Sequence, residues 1–503
     1  MNRAKIARGT QASIRHLSRG ISTHRTIPLI INGKDVISKT TFEAISPLTC
    51  KKASDCSSAS QEHVQSAVAA AQAAFPAWAT TKPSYRRDIF LAAADIMTKR
   101  REELGEYLNQ EIGADQGYQD FIIGLSIEGL KDTAGRIAGA CQGFVPESVH
   151  EGMKAMVLKR PYGVNLGIAP WNSPYHLGLR SVTFALATGN TAILKGAEFS
   201  PRCYWAIADI FRQAGLPAGV LNLLFHRPAD AATVTESLIA HPDVKKINFT
   251  GSTKVGSILA ASAGRHLKPC LMELGGKANA IVLKDADLHK AAVQCAMGAF
   301  MNICMSTERI LVDASVAGEF EPILKRTIND IFGTAGATPT LVTSASAARN
   351  RALVEDAVSK GATCHALSDT TSLDIYSDEL GEMVETRMRP VVLTNVDKSM
   401  ELYGGESFGP SVSLYSFDSE DEAIELANDT EYGLTASVFT ENLGSGFRIA
   451  EKLDSGAVHI NSMTVHDEYS LPHGGVKKSG WGRFNGHQGL NEFLYCKTVT
   501  WMD

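Results

Sequence analysis

Residues 272–277 read MELGGK after an apolar stretch, and the cysteine Cys304 comes 31 positions after Glu273. Cys304 lies in the segment FMNICMSTER, residues 300–309. A carboxylate that acts as a base, paired with one thiolate, can attack a carbonyl carbon and then release an acyl group from sulfur. Each residue also has a plainer interpretation, since a lone cysteine is usually a small buried side chain and a glutamate in apolar surroundings needs a partner. The neighbouring motifs must decide between these interpretations.

The bulk composition limits the class of protein. With 503 residues the chain exceeds what one hydrophobic core usually serves, which predicts two or three domains. A net charge of −5 gives no reason to expect nucleic acid or an anionic membrane as a partner. No apolar run reaches the roughly 18 residues of a membrane-spanning helix. The nine cysteines form no CxxC pair and no metal-ligand spacing, so we expect reduced thiols and no metal site.

Short apolar runs alternate with stretches of helical length along the chain. Continuous apolar strands between helices predict a parallel sheet covered on both faces, and therefore an α/β fold. A second unit of the same kind begins after Cys304. The predicted strands of the two units lie at 164–169, 191–194, 220–225, 246–250 and 279–283, and then at 309–312, 390–394 and 411–417.

Two helices are predicted before the first of these units. Residues 60–75 place their apolar side chains on one helical face, and Pro76 is expected to end that helix. Residues 85–113 have the pattern of one long amphipathic helix.

The first 34 residues differ from the rest of the chain. They carry seven arginines and lysines, several serines and threonines, and no acidic residue before Asp35. This composition is typical of a mitochondrial transit segment, which would direct the protein to the mitochondrial matrix. The alternative is a disordered basic tail on a cytoplasmic protein. Both interpretations stay open.

Two motifs that follow predicted strands suggest contacts with a nucleotide. The segment FTGSTKVG, residues 249–256, frees backbone N–H groups where a helix begins, which suits a phosphate but also fits an ordinary tight turn. Lys195 and Glu198 lie just beyond a strand, where an acid can hold ribose hydroxyls. Their alternative is a solvated loop.

Two further motifs suggest a reacting site. Asn172 lies between prolines in APWNSP, residues 169–174, from where its amide could stabilise a developing oxyanion; the alternative is a turn asparagine. Glu406 precedes the aromatic-Gly-Pro turn of ESFGP, residues 406–410, either as a ligand contact or as a solvated loop residue.

Taken together, these motifs resemble the aldehyde dehydrogenase superfamily from about Ile27 to the C-terminus. The matching segments are PWN at 170–172, Lys195 with Glu198, FTGS at 249–252, ELGGK at 273–277, the Cys304 segment, ESFGP at 406–410 and GGVKKSG at 474–480. The resemblance implies two Rossmann-like parallel-sheet domains plus a small β oligomerisation element. The implied division is a basic N-terminal extension at 1–26, an NAD-binding domain at 27–149 and 163–274, a catalytic domain at 275–461, and oligomerisation strands at 150–162 and 486–503.

The resemblance also implies NAD-dependent oxidation of a small-molecule aldehyde through a covalent intermediate on Cys304. Cys304 would attack the carbonyl carbon, Asn172 would hold the oxyanion, and Glu273 would activate the water that hydrolyses the thioester. Glu198 would favour NAD over NADP, and assembly as a homodimer or homotetramer is implied. The implied cofactor-binding residues are Trp171, Lys195, Glu198, Gly251, Ser252, Glu406 and Phe408.

Within the superfamily, the Cys304 segment and VHDE at 465–468 look like the branch that oxidises aromatic aldehydes such as salicylaldehyde, vanillin and benzaldehyde. Arg180 is expected to face the substrate and attract an oxygen on its ring, unless it is a surface arginine. His473 stands where the family usually has phenylalanine. A more polar side chain there fits an oxygenated ring, but the change could also be incidental.

The segment before Cys304 departs from the family. About three residues of the kind x-Gly-Gln are missing relative to the aromatic-aldehyde branch, and three residues span up to about 10 Å. A misplacement of about 1 Å can cost on the order of a hundredfold in rate. Either the preceding helix unwinds to compensate, or the chain is a catalytically impaired homologue, or three codons were lost at a splice junction. Gly196, where the family usually has proline or alanine, is a milder departure.

Overall fold

A computed structural model describes residues 26–333, 338–366 and 385–502, and the predicted α/β fold is confirmed. Two sheets, one of eight strands and one of seven, are built mainly from parallel strands and packed with helices. The basic N-terminal extension lies, up to residue 25, outside the described residues. Its assignment as a transit segment therefore stays a prediction.

The described elements are numbered in chain order. The strands are β1 (Thr26–Ile27), β2 (Leu29–Ile31), β3 (Lys34–Val36), β4 (Thr41–Ile45), β5 (Lys52–Ser57), β6 (Met153–Pro161), β7 (Val164–Ile168), β8 (Thr191–Lys195), β9 (Leu221–Leu224), β10 (Val244–Thr250), β11 (Cys270–Glu273), β12 (Ala278–Val282), β13 (Thr307–Asp313), β14 (Thr363–Ala366), β15 (Val391–Thr394), β16 (Ser411–Phe417), β17 (Tyr432–Gly433), β18 (Thr435–Phe439), β19 (Ala457–Ile460), β20 (Val476–Lys477), β21 (Gly480–Trp481) and β22 (Leu494–Met502). The helices are α1 (Gln61–Ala79), α2 (Pro83–Lys99), α3 (Arg101–Ile112), α4 (Gln116–Ala140), α5 (Pro174–Ala187), α6 (Pro201–Gln213), α7 (Ala231–Ala240), α8 (Thr253–Arg265), α9 (Leu288–Ala299), α10 (Ala314–Phe332), α11 (Ser344–Ser359), α12 (Glu401–Gly404), α13 (Glu420–Asn428), α14 (Leu443–Lys452) and α15 (Gly486–Asn491), with a 3-10 turn at Pro228–Asp230.

The eight-stranded sheet has the order β21-β11-β10-β7-β8-β9-β2-β3. Strands β7 to β11 are parallel, and their apolar side chains form one large core with α1 to α6. The chain runs outward from β7 to β8 and β9 on one side, and reaches β10 and β11 on the other. Ligands in open α/β sheets bind at the carboxyl ends of the strands where the order reverses in this way.

The seven-stranded sheet has the order β14-β15-β16-β13-β12-β18-β19, and all its neighbours are parallel except β14 and β15. Cys304 precedes its central strand β13, and the 406–408 turn precedes β16. Glu273 instead ends β11 of the other sheet. The predicted reacting residues therefore lie between the two sheets.

Strand β22 pairs antiparallel with β6 along its whole length, and the two strands form a separate two-stranded sheet. The strand predicted at 486–503 is shorter than expected, because Gly486–Asn491 forms helix α15 and the strand begins only at Leu494. Residues of this pair and its approach remain exposed, including Val149 and Met502. Whether it serves oligomerisation stays a prediction.

Two helix boundaries differ from the predictions. Helix α1 continues through Pro76 to Ala79, because Trp78 is buried and its indole N–H donates to the Leu186 carbonyl at 3.2 Å. The long helix predicted at 85–113 is instead two helices, α2 and α3, which meet at Arg100. The Arg100 guanidinium is drawn to Asp209 at 2.8 Å, a tertiary contact that no local pattern indicates.

Candidate active site

Glu273 and Cys304 are brought together from the two sheets. Glu273 is the last residue of β11, and its side chain is only 1% exposed. Cys304 lies in the loop that enters β13, and its Sγ is 3.6 Å from Glu273 Oε1. At that distance the thiol can donate a long hydrogen bond to the carboxylate. The pair is therefore close enough for direct proton transfer after a small adjustment.

A tight turn positions Cys304 despite the shortened segment before it. Helix α9 ends five residues earlier, and Asn302 then adopts a left-handed conformation with φ 54°, which asparagine tolerates better than most residues. The Ile303 N–H donates to Ser306 Oγ at 3.0 Å, which closes the turn. A Cβ on Gly276 would lie 2.4 Å from the Cys304 carbonyl oxygen, so this glycine of the MELGGK segment is needed for close approach.

The two reacting groups have pKa values shifted in opposite directions. Burial raises the pKa of the Cys304 thiol well above its ordinary value, and the carboxylates of Glu273 and Glu406 add to the rise. Burial would also raise the pKa of Glu273, but its contacts with His473 and Arg180 outweigh burial and lower it. The resting pair is therefore a neutral thiol beside an ionised carboxylate.

Asn172 follows β7 and lies two residues before the start of α5, where its side chain is buried. The Tyr118 hydroxyl donates to the Asn172 carbonyl at 2.8 Å and lies 2.6 Å from Ser173 Oγ. Tyr118 on α4 thus holds the Asn172 segment against the loop that carries Cys304. Sequence patterns had not indicated Tyr118.

Two cavities meet at Cys304, and both Cys304 and Asn172 line each of them. The larger measures about 410 Å³ and the smaller about 20 Å³. Predicted cofactor residues that line the larger cavity are Trp171, Gly251, Ser252, Glu406 and Phe408. The smaller cavity is lined by apolar side chains and by a buried charged cluster, among them Phe121, Ile122, Leu125, His176, Arg180, Val465, Asp467 and His473.

Lys195 and Glu198 lie at the end of β8, beside β7 but away from the lining of the larger cavity. Lys195 is buried, which lowers its pKa, and the charge of Glu198 opposes that shift. The departure at Gly196 has a steric reason, because a Cβ there would lie 2.4 Å from the Phe225 ring and 2.8 Å from the Tyr204 ring.

The charged cluster of the smaller cavity connects to the base. Arg180 lies between two carboxylates, with Nη1 2.6 Å from Asp467 Oδ2 and Nη2 3.6 Å from Glu273 Oε2. His473 Nε2 is 3.5 Å from Glu273 Oε1, and His176 Nε2 is 2.8 Å from Asp467 Oδ2. Arg180 is thus buried and engaged with carboxylates, which corrects the alternative of a surface arginine.

Comparison with known proteins agrees with this arrangement. The profile of the Aldehyde dehydrogenase family matches residues 35–499. The chain belongs to the aldehyde dehydrogenase family. It is 41% identical to vanillin dehydrogenase from Pseudomonas fluorescens over 94% of this chain and 97% of that protein.

Solved structures of aldehyde dehydrogenases share the fold. A salicylaldehyde dehydrogenase from Pseudomonas putida G7, complexed with salicylaldehyde, has a TM-score of 0.89 at 33% identity, covering 95% of this chain and 99% of that one. A betaine aldehyde dehydrogenase from Staphylococcus aureus in complex with NAD⁺ has a TM-score of 0.89 at 28% identity, with 95% of each chain covered. This aldehyde dehydrogenase is therefore an oxidoreductase whose relatives include enzymes named for aromatic aldehydes.

A buried ion pair supports the cofactor side of this aldehyde dehydrogenase and was missed by the sequence patterns. Lys277 Nζ is 2.6 Å from Glu308 Oε2, and the same carboxylate accepts the N–H groups of Ser407 and Phe408 at 2.8 Å and 3.1 Å. Arg349 donates to the Ser407 carbonyl at 3.1 Å. Lys277 and Glu308 both belong to quoted motifs, but nothing in either motif indicates that they pair.

Two features are absent from the described residues. No group of three or more histidine, cysteine or acidic side chains in that part of the chain is arranged to hold a metal ion. None of its helices combines the length and apolar character needed to cross a membrane.

Proposed function

We propose that this aldehyde dehydrogenase oxidises an aromatic aldehyde to the carboxylic acid through a thioester on Cys304, with NAD⁺ as the hydride acceptor. The observation that carries the proposal is the position of Cys304 Sγ, 3.6 Å from Glu273 and at the meeting point of two cavities. A nucleophile there can receive an aldehyde from one cavity and face a cofactor in the other.

The larger cavity fits a dinucleotide in its chemistry. Ser252 caps α8 and lines the cavity, so the free N–H groups of that helix end suit a pyrophosphate. Glu406 can accept from ribose hydroxyls, and Trp171 and Phe408 form an aromatic pair 5.8 Å apart on the wall. Glu198, beyond the end of β8, would disfavour a 2′-phosphate, which supports NAD over NADP. When bound, the nicotinamide would accept a hydride from the carbon attached to Cys304.

Three residues, Cys304, Glu273 and Asn172, carry out the other steps of the proposed reaction. Glu273 takes the thiol proton as the Cys304 sulfur attacks the aldehyde carbon. The Asn172 amide and the Cys304 backbone N–H stabilise the resulting oxyanion. After the thioester has formed, Glu273 takes a proton from the water that hydrolyses it, and the sulfur is released. Each step uses groups that line the junction of the cavities.

The alternative of a catalytically impaired homologue finds no support. That alternative rests on the shortened segment before Cys304. The turn at Asn302 nevertheless brings the Cys304 thiol next to Glu273 without the missing residues. The relatives in the aromatic-aldehyde branch are named as dehydrogenases.

The proposed substrate is an aromatic aldehyde that carries oxygen on its ring. Apolar side chains such as Phe121 and Val465 suit the ring, while Arg180 and His473 supply a polar wall. A cavity of about 20 Å³ holds roughly one water molecule, so the ring must displace side chains at the wall. Phe121 is 41% exposed and therefore has solvent on one side.

We also propose assembly with further copies of the chain, as a homodimer or homotetramer, through the β6–β22 pair and its exposed apolar residues. Sedimentation that gives only a monomer would contradict this. For location, the bacterial relatives favour the cytoplasmic alternative over the mitochondrial matrix.

The function is tested by NADH formation from the purified chain with vanillin, salicylaldehyde and benzaldehyde, and with an aliphatic aldehyde for comparison. We expect turnover of the aromatic aldehydes, loss of it by orders of magnitude in Cys304→Ala, and wild-type rates in Cys50→Ala, which removes an exposed thiol outside the site and outside the β6–β22 pair. Folded protein that binds NAD⁺ but forms no NADH from any aldehyde would overturn the proposal.

A further inference from the structure

Glu273 has to release a proton in the middle of each turnover. In the acylation half, RCHO, the Cys304 thiol and NAD⁺ give the Cys304 thioester, NADH and one proton. In the deacylation half, the thioester and water give RCOO⁻, the free thiol and a second proton. Glu273 takes the first proton from sulfur and must lose it before it can take the second from water.

In the described part of the chain, the imidazole of His473 lies next to Glu273 and can take that proton. Glu273 is 1% exposed, and His473 Nε2 lies 3.5 Å from the same oxygen, Oε1, that faces the Cys304 thiol. Arg180 is as close to the other oxygen, but a guanidinium stays charged and cannot accept a proton. A neutral imidazole nitrogen can accept a proton, which an arginine side chain cannot do.

The ring of His473 is held in place from its far side. Its Nδ1 lies 3.7 Å from Asp467 Oδ1, and its backbone N–H and carbonyl form a two-way bridge with Phe484 at 2.9 Å and 2.8 Å. Asp467 is in turn bonded to the Asn485 amide at 2.7 Å and to Arg180 at 2.6 Å. An anion behind Nδ1 stabilises the imidazolium that forms when Nε2 takes a proton.

We propose that His473 accepts the proton of Glu273 between acylation and deacylation, with Asp467 holding the imidazole ring. This inference rests on the proposed function. His473 also lines the smaller cavity, whose volume of about 20 Å³ has room for about one water molecule to receive the proton from the imidazole. Among the described residues, the charged and titratable groups around His473 include Glu273 on β11, Arg180 and His176 on α5, Asp467 on its own loop and His459 on β19.

The test is stopped-flow measurement of NADH with His473→Phe, which keeps an aromatic ring, and with His473→Gln, which keeps polarity. Neither side chain can carry the proton. We expect a first burst of about one NADH per active site at the wild-type rate, followed by a steady-state rate lowered about tenfold or more. Imidazole added to His473→Ala should raise the steady rate again, which distinguishes proton transfer from packing.

Controls separate this inference from the proposed function. His459→Gln removes an imidazole that faces His473 but does not contact Glu273, and its pH–rate profile should match that of the wild type. If wild type forms no NADH, the proposed function fails first. If wild type turns over and both His473 variants keep its rate and pH profile, the protons leave through water in the larger cavity and the inference is wrong. Loss of the burst itself would also overturn it, because His473 would then act in acylation.

Discussion

Two carboxyl groups, Asp467 on the smaller cavity and Glu406 on the larger one, have pKa values shifted in opposite directions. On the substrate side, burial would raise the pKa of Asp467, but His473, Arg180 and His176 bring it well below its ordinary value. On the cofactor side, burial and the neighbouring Glu308 raise the pKa of Glu406 to about 8. Asp467 is therefore ionised at neutral pH, whereas the Glu406 carboxyl can gain or lose its proton near that pH.

The difference in pKa follows from which carboxylates form ion pairs with the nearby cations. Arg180 lies 2.6 Å from Asp467, so the substrate-side charge is fixed. Lys277 is instead 2.6 Å from Glu308, and Arg349 donates to the backbone carbonyls of Glu406 and Ser407. Among the described residues, the Gly276 N–H donates to the Glu406 carboxyl at 2.9 Å. A carboxyl group that forms no ion pair among the described residues can ionise when a ligand supplies hydrogen-bond donors. The Asp467 carboxylate therefore keeps a fixed charge on the substrate side, whereas the Glu406 carboxyl on the cofactor side can respond to binding.

We expect the largest effect on stability from removing Asp467, the carboxylate that pairs with Arg180 on the substrate side. Asp467→Ala leaves Arg180 buried without its closest anion, and we expect the free energy of unfolding to fall by about 3–5 kcal/mol. Urea denaturation measures the change.

The matched control is Asp421→Ala. Asp421 pairs with Lys452 at 3.3 Å, but its side chain is 84% exposed, so the loss should stay below about 1 kcal/mol. Equal losses in the two variants would show that the substrate-side cluster is no more important to stability than a surface pair.

The same contrast explains what could be predicted from the sequence. Gly251, Ser252 and Glu406 lie in short runs at strand ends or turns, where local chemistry indicates a ligand. The partnership of His176 with Asp467 spans 291 positions, and no local pattern indicates it. Long-range contacts likewise divide the predicted helix at Arg100. The strands were predictable because their apolar runs are local, whereas the buried ion pairs depend on how the sheets and loops come together.

We expect a smaller effect on stability from removing the charge of Glu308, next to the 406–408 turn on the cofactor side. Glu308→Gln keeps the shape of the side chain but removes the charge that joins Lys277 to the N–H groups of Ser407 and Phe408. We expect the free energy of unfolding to fall by about 1.5–3 kcal/mol, together with weaker NADH binding.

Glu420→Gln is the control for that variant, because Glu420 pairs with Arg448 at 3.0 Å on the surface. It should change neither quantity appreciably. Unaltered NADH affinity in Glu308→Gln, with stability reduced, would mean that the 406–408 turn holds its shape without the ion pair.

The smallest expected effect is the pH response of Glu406. With a pKa of about 8, its carboxyl is mostly neutral at pH 7 and mostly ionised at pH 9. If the ionised form accepts the ribose hydroxyls, NADH affinity rises with pH over that range, by up to about tenfold as the ionised fraction grows. Fluorescence titration should show this rise in the wild type and a flat profile in Glu406→Gln. Asp467 stays ionised over this pH range, so it cannot cause such a rise. A rise in NADH affinity that persists in Glu406→Gln would therefore show that Glu406 is not the titrating group.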